Sequence, residues 1–232
     1  LTHKGLKQQK RNHLSSGSNM RVLGLFTGTT RPIGSKNSPS GINKRPVAEV
    51  EVDYLGIKGD IQVDKRYHGG PERALHQYAL LSYETIIKRH PLMHRRAIPG
   101  SIGENITVSL MHDKNVNIGD IYRIGQVDVQ VSSPRIPCWK IEEKLNQHGL
   151  VDFIAKQQIT GWYYRVLKEG VIATGDNITL LSRVNPSLSV ATFVKQHFDS
   201  NTSKDTLQGL SQAQGLDPEW QDKLNRRMLR TH

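Results

Sequence analysis

Apolar and polar positions alternate most cleanly late in the chain, where Val127, Val129 and Val131 are separated by Asp128, Gln130 and Ser132. A two-residue period is that of a strand with one face buried. The same period recurs over Val47–Asp53, which predicts Val50 and Val52 inward and Glu49, Glu51 and Asp53 outward. Arg21–Thr27, a segment opening at Gly103-Glu104-Asn105, and the aromatic run Gly161–Leu167 read as further strands. Gly119-Asp120 and Gly175-Asp176 each stand before an alternating stretch, which is a weak internal repeat or common hairpin chemistry. The long Gly-, Pro- and Ser-rich connection from Gly28 to Pro46 is expected to be functional or mobile.

Helical spacing is scarcer. Ser82–His90 reads as a short helix capped by Ser82 and ended by Pro91. Gly70-Pro71-Glu72 carries the signals of a helix start, with Pro at the first position and an acid in the first turn. Lys140–His148 reads as a helix stopped by Gly149, and a second short one lies near Val151–Gln158. Beyond Pro186 the texture changes. Leu188, Val190, Phe193, Val194 and Phe198 recur at helical spacing, and two more helices are predicted near Ser203–Gln214 and Pro218–Arg230. Three such helices are too small to stand alone and are expected to pack on the rest of the chain or on a second subunit. The expected fold class is therefore mainly β with α: a closed or nearly closed β-barrel over residues 20–184, and a three-helix bundle over 187–230.

Length and composition narrow this only a little. The 232 residues suit one large domain, or one of medium size with an appendage. Leu1 to Asn19 is basic and aperiodic. It reads as a disordered leader or fusion remnant, with a targeting peptide as the alternative. Formal charge is +11, and Lys4, Lys7, Lys10 and Arg11 supply only part of it. Such a surface suits nucleic acid, acidic membranes or an anionic cofactor, or is simply solvated. A single cysteine forms no internal disulfide, so a reducing, cytoplasmic setting is expected, and no apolar run has membrane-spanning length.

That cysteine sits in Ser133-Pro134-Arg135-Ile136-Pro137-Cys138-Trp139-Lys140, where a strand pattern hands over to a helix pattern. A helix start and Arg135 both bring positive charge near the sulfur, which favours thiolate over thiol. Two prolines restrict the backbone around it. Most lone cysteines are core filler, but a proline-locked, Arg-flanked turn points to a functional one. A second dense stretch runs from Asp64 to Tyr78. Gly69 and Gly70 expose backbone N–H groups ahead of a helix start, an anion cradle surrounded by Lys65, Arg66, Arg73 and His76. A plain tight turn explains two glycines equally simply. Glu104 reads by spacing as a charged rim residue.

Taken in order, His68-Gly69-Gly70, Arg73-Ala74-Leu75, Gly103-Glu104-Asn105, Gly119-Asp120, Arg135-Ile136-Pro137-Cys138, Arg165-Val166-Leu167 and Gly175-Asp176 resemble the MOSC domain, the C-terminal domain of molybdenum cofactor sulfurases. The tail from Ser187 resembles that of the bacterial YiiM-like branch. The resemblance implies a β-barrel whose cleft holds molybdenum on a pterin dithiolene (molybdopterin), with Cys138 as the metal ligand and catalytic residue. It implies reduction of N-hydroxylated compounds, such as amidoximes and hydroxylamino nucleobases, with electrons from a separate flavin or haem reductase. Lys58, Arg66, His68, Gly69, Gly70, Arg73 and Arg135 become candidates for the cofactor's phosphate. Arg165 joins them or is a strand-surface residue. His68, His76 or Glu104 relays protons, Asn105 orients the cleft, and Trp139 packs or stacks on a flat base. A homodimer fits this reading; a membrane partner does not. Three rivals remain: a cofactor carrier or sulfur-transfer protein without turnover, a nucleic-acid-binding barrel using Trp139, Trp162, Tyr163 and Tyr164, and a cysteine hydrolase pairing Cys138 with His68 or His76.

Overall fold

A computed structural model describes residues 20–34, 37–61 and 69–230. The chain opens with β1 (Val22–Gly28), a small hairpin of β2 (Arg31–Ile33) and β3 (Ser38–Ser40), then β4 (Lys44–Val47), β5 (Glu49–Asp53) and β6 (Gly56–Ile57). The Gly28–Pro46 connection is thus largely ordered strand, because the hairpin pairs Arg31 with Ser40 and Ile33 with Ser38. Val50 and Val52 are buried between exposed Glu49 and Glu51, as the alternation predicts.

The helix signalled at Pro71 is a single 3-10 turn, Pro71–Arg73, and the chain then enters β7 (Leu75–Ala79). All five residues of β7 are buried, so the strand is covered on both faces and shows no alternation. Next come α1 (Leu80–Arg89), a 3-10 turn at Pro91–Met93, and β8 (Ile106–Val108). Ser82 is not the cap of α1. It lies buried inside the helix, which starts two residues earlier at the end of β7. β7 and β8 are parallel neighbours with α1 as the crossover.

The second half holds β9 (Ile121–Ile124), β10 (Val127–Pro134), α2 (Lys140–Leu145), α3 (Leu150–Lys156), β11 (Trp162–Lys168), β12 (Gly170–Ala173), β13 (Ile178–Ser182), α4 (Val190–Phe198), α5 (Lys204–Ser211) and α6 (Pro218–Arg230). α2 ends at Asn146, which takes the left-handed conformation (φ 47°). Gly149 (φ 75°) opens α3 instead of closing α2.

Among the described residues the main sheet has eight strands in the order β13-β9-β10-β11-β7-β8-β1-β4. No closed barrel forms, which corrects the expectation from strand count. β4 and β13 are the edges and do not pair. β12, which follows β11 in sequence, leaves to pair with β5 in a separate small sheet. Among the described residues one corner approaches closure: Val22 N donates to Asp176 O (3.0 Å), and Ile178 N to Met20 O (2.9 Å). The two Gly-Asp stretches lead into β9 and β13, which pair antiparallel with each other.

One apolar cluster joins Val127, Val129, Val131, Trp162 and Tyr164 of the sheet to Val190, Phe193, Leu207, Trp220 and Leu224 of the tail. The tail helices therefore share the sheet's core. Ser189 and Ser203 cap α4 and α5, accepting from Thr192 N and Thr206 N. A second cluster, with Tyr78, Tyr83, Ile86, Ile141, Leu145, Leu150 and Ile154, fastens α2 and α3 beneath α1. It holds the segment that carries Cys138. Of the four aromatics in the nucleic-acid reading, Trp162, Tyr163 and Tyr164 are buried and Trp139 is half exposed.

The tail also carries a pH-sensitive contact. His197 packs edge-on against Trp220 with 4.8 Å between ring centres. Burial, reinforced by Lys223 and Arg227, pulls its imidazole down to about 4. The unfolded chain takes up this proton near 6.5 and the folded chain only near 4, so stability falls as pH drops through that window. Asp113, pushed up to about 6 by burial, acts with the opposite sign. Comparison with a variant therefore isolates the histidine. His197→Phe is expected to lose less stability between pH 7 and pH 5 than the parent, by at most about 1.4 kcal/mol per pH unit. Urea titrations at the two pH values measure the difference.

Candidate functional site

β10 leads into the site. Its register against β11 slips between Val131 and Ser133, which leaves Ser132 as a bulge. The bulge frees the Ser132 carbonyl, which accepts from Asp217 N (2.9 Å) and so docks the tail against the strand end. From there the chain runs through Arg135, Ile136 and Pro137 to Cys138, whose carbonyl accepts from Ile141 N in the first turn of α2. α2 has only six residues, so its dipole is a smaller influence on the sulfur than the sequence suggests. The nearer charge is Arg135, whose Nη2 donates to Cys138 Sγ at 3.8 Å.

Two lobes meet at Cys138. The larger, about 370 Å³, is lined by Arg73, Ile136, Pro137, Cys138, Trp139, Lys140 and Tyr163, and by Glu219, Trp220 and Lys223 of α6. The smaller, about 80 Å³, takes Ser40, Gly41, Lys44, Asp60, Gly69, Arg73, His76, Gly103, Asn105, Arg135, Cys138, Lys140 and Tyr163. Arg73, Cys138, Lys140 and Tyr163 belong to both and form the partition.

Arg135 is the unusual group. Its side chain is buried, and neither Nε nor Nη1 has a hydrogen-bond partner among the described residues. A buried guanidinium with two unmatched donors is costly, so such a group normally has an anion to meet. Around it the polar groups are cross-linked. Lys44 and Asp60 form a buried ion pair at 2.5 Å, and burial lowers the Lys44 ammonium despite the Asp60 charge. Asn105 Nδ2 donates to Asp60 Oδ2 (2.8 Å), and Asn105 Oδ1 accepts from His76 N (3.1 Å). Arg73 is braced by Asp217 (3.1 Å) and Glu219.

Six of the residues singled out from sequence thus come together: Gly69, Arg73, His76, Asn105, Arg135 and Cys138 all line the smaller lobe. Gly70 (φ 80°) precedes the 3-10 turn but lines neither lobe. Arg66 and His68 lie outside the described residues. Three others are elsewhere. Lys58 is exposed and paired with Glu51 (2.7 Å). Arg165 pairs with Glu72 and donates to the Gly215 carbonyl (2.8 Å), so it straps the tail to the sheet. Glu104 is no rim residue: it is fully buried, and its Oε1 accepts from Tyr83 Oη (2.7 Å), Gly100 N (2.7 Å) and Thr107 Oγ1 (2.8 Å). Sequence reasoning missed Tyr163, Lys140, the Lys44–Asp60 pair, and above all Glu219, Trp220 and Lys223. The last three stand more than eighty positions beyond Cys138, and no local spacing ties them to it.

A lone thiol beside a buried arginine with two unmatched donors, at the end of a bulged strand, marks a ligand cleft on a β scaffold. The MOSC domain profile matches residues 64–179. YflK of Bacillus subtilis is 35% identical over 80% of this chain and 80% of its own length, and YiiM of Escherichia coli is 30% identical over 84% and 87%. A protein named reductase from Gibberella moniliformis is 39% identical over 58% of this chain, a match that spans 24% of that longer protein. The crystal structure of YiiM from Geobacillus stearothermophilus superposes with a TM-score of 0.76 at 27% identity, covering 90% of this chain and 99% of that one. The chain belongs to the MOSC domain family and is YiiM-like. Among the described residues no helix is long and apolar enough to cross a membrane.

Proposed function

We propose that this protein is a molybdenum-cofactor-dependent reductase of N-hydroxylated compounds, hydroxylamino nucleobases and amidoximes among them, working in the cytoplasm. The observation that carries the reading is the juxtaposition of Cys138 with the buried Arg135, whose Nε and Nη1 have no acceptor among the described residues. The donor set fits the cofactor. A thiolate is a soft ligand suited to a sulfur-bound metal. Among the described residues no group of three His, Cys, Asp or Glu side chains could hold a metal ion. A dithiolene brings its own sulfur donors, so a single protein thiolate serves as the chain's ligand in this reading.

In this reading Cys138 ligates the metal. Arg135, Arg73 and the backbone at Gly69 hold the phosphorylated pterin, with Asn105 and His76 fixing the floor of the smaller lobe. When bound, the cofactor supplies the two-electron step by which R–NHOH, with two protons, becomes R–NH2 and water. The chain's own part is to orient the N–OH group, exclude competing water and deliver protons. Glu104 is sealed beneath the cleft, whereas His76 lines the smaller lobe and is the proton donor in this reading. Electrons come from a separate flavin or haem reductase.

The test is expression in a host that makes the cofactor, metal analysis, and an assay of a hydroxylaminopurine and a benzamidoxime with reduced viologen as donor. Stoichiometric molybdenum with turnover of at least one substrate is the expected result. Molybdenum without turnover of either would sink the reductase reading and leave a carrier.

A further inference from the structure

The tail helix α6 enters the cleft in a way the reductase reading does not require. Of the larger lobe's lining, Trp220, Glu219 and Lys223 come from its first two turns. The lining also includes Pro134, Ile136, Pro137 and Trp139, and the Trp139 indole is half exposed. An indole among such apolar neighbours suits a planar ring. The charges are unequal. Arg73 has its charge matched by Asp217 and Glu219 and also faces the smaller lobe. Lys140 Nζ donates to the Pro39 carbonyl (3.2 Å) and lies over the Trp139 ring, 6.0 Å from its centre. Lys223 Nζ lies over the Trp220 ring at 4.4 Å. Neither lysine has a carboxylate at ion-pair distance among the described residues. The lobe therefore combines a planar apolar surface with two ammonium groups that lack a counter-charge at contact distance.

We propose that the larger lobe is the substrate compartment and that it takes the N-hydroxylated base as its nucleotide, with the ring on Trp139 and the phosphate recognised by Lys140 and Lys223, so that α6 sets the substrate class. The inference rests on the reductase reading for the N–OH group alone; the nucleotide preference stands on the lobe itself. An ammonium–phosphate contact is charge-assisted, and a free nucleoside or base forfeits it. About 370 Å³ lies at the lower end of small-molecule sites and fits a ring system with its phosphate at the open mouth.

The experiment is calorimetric titration of the full chain, purified from a cofactor-competent host, with adenosine 5′-monophosphate, cytidine 5′-monophosphate and the two nucleosides. These are reduced compounds, so binding is read without turnover, and its outcome is independent of whether the protein is a reductase. Nucleotides are expected to bind about tenfold or more tightly than nucleosides, and Lys223→Gln or Lys140→Gln to erase most of that margin, with Lys223→Arg retaining it. Equal affinity for nucleotide and nucleoside overturns the proposal. So does a preference that survives both lysine variants but is lost in Arg135→Gln, since the phosphate would then sit in the smaller lobe.

Discussion

Cys138→Ser protein, made in a cofactor-competent host, is expected to carry about tenfold less molybdenum than the parent, or less still, with N-hydroxy reduction falling at least as far. Serine keeps the size and the backbone hydrogen bonding of the position. The residue's carbonyl still accepts from Ile141 N, and the side-chain interaction given up is the long donation from Arg135 at 3.8 Å. Stability should therefore stay within about 0.5 kcal/mol of the parent. A hydroxyl, however, is a hard donor that stays protonated at neutral pH. Metal analysis beside a thermal melt separates the two effects. Full molybdenum occupancy in a folded serine variant removes the ligand assignment, and with it the role given to the sulfur.

The largest effect on stability is expected from Glu104→Ala. Its Oε1 serves the Tyr83 hydroxyl, the Gly100 amide and the Thr107 hydroxyl together, at no solvent exposure. Truncation leaves three buried donors without an acceptor and a cavity among Tyr83, Gly100 and Thr107. Lys44 and Lys144 lose a nearby negative charge as well. A loss of roughly 3 to 5 kcal/mol follows from unsatisfied buried groups and a broken charge network, or about 10 °C in Tm for a chain of this size. Glu104→Gln keeps an acceptor and should lose about half as much. Chemical denaturation gives both values. A change below about 1 kcal/mol for the alanine variant would mean that water replaces the carboxylate, and the buried-network account of this residue would fall.

Glu104 also shows why spacing misleads. In sequence it is an acid in a Gly-Glu-Asn turn, which suggests a rim. In space the turn folds under α1, and Tyr83 and Gly100 close over the carboxylate. Lys58 and Arg165 line neither lobe for a related reason. A cation's partner is set by what folds beside it, and here Glu51 and Glu72 are the carboxylates in reach. β7 was hidden because a strand buried on both faces loses its period, so Pro71 and Glu72 looked like the start of a helix when they form one 3-10 turn.

The amino-acid sequence by itself determined most strands, the three tail helices, and the turn that presents Cys138 beside Arg135. Each of these is encoded within a few neighbouring residues, by side-chain period, cap chemistry and proline geometry. Tertiary structure alone decided that the sheet stays open at β4 and β13, that Arg135 is buried with Nε and Nη1 facing no acceptor among the described residues, and that α6 walls the cleft beside Cys138. Those outcomes depend on which distant segments share a surface. Non-directional burial of apolar area brings them together, and no local pattern in the chain records it.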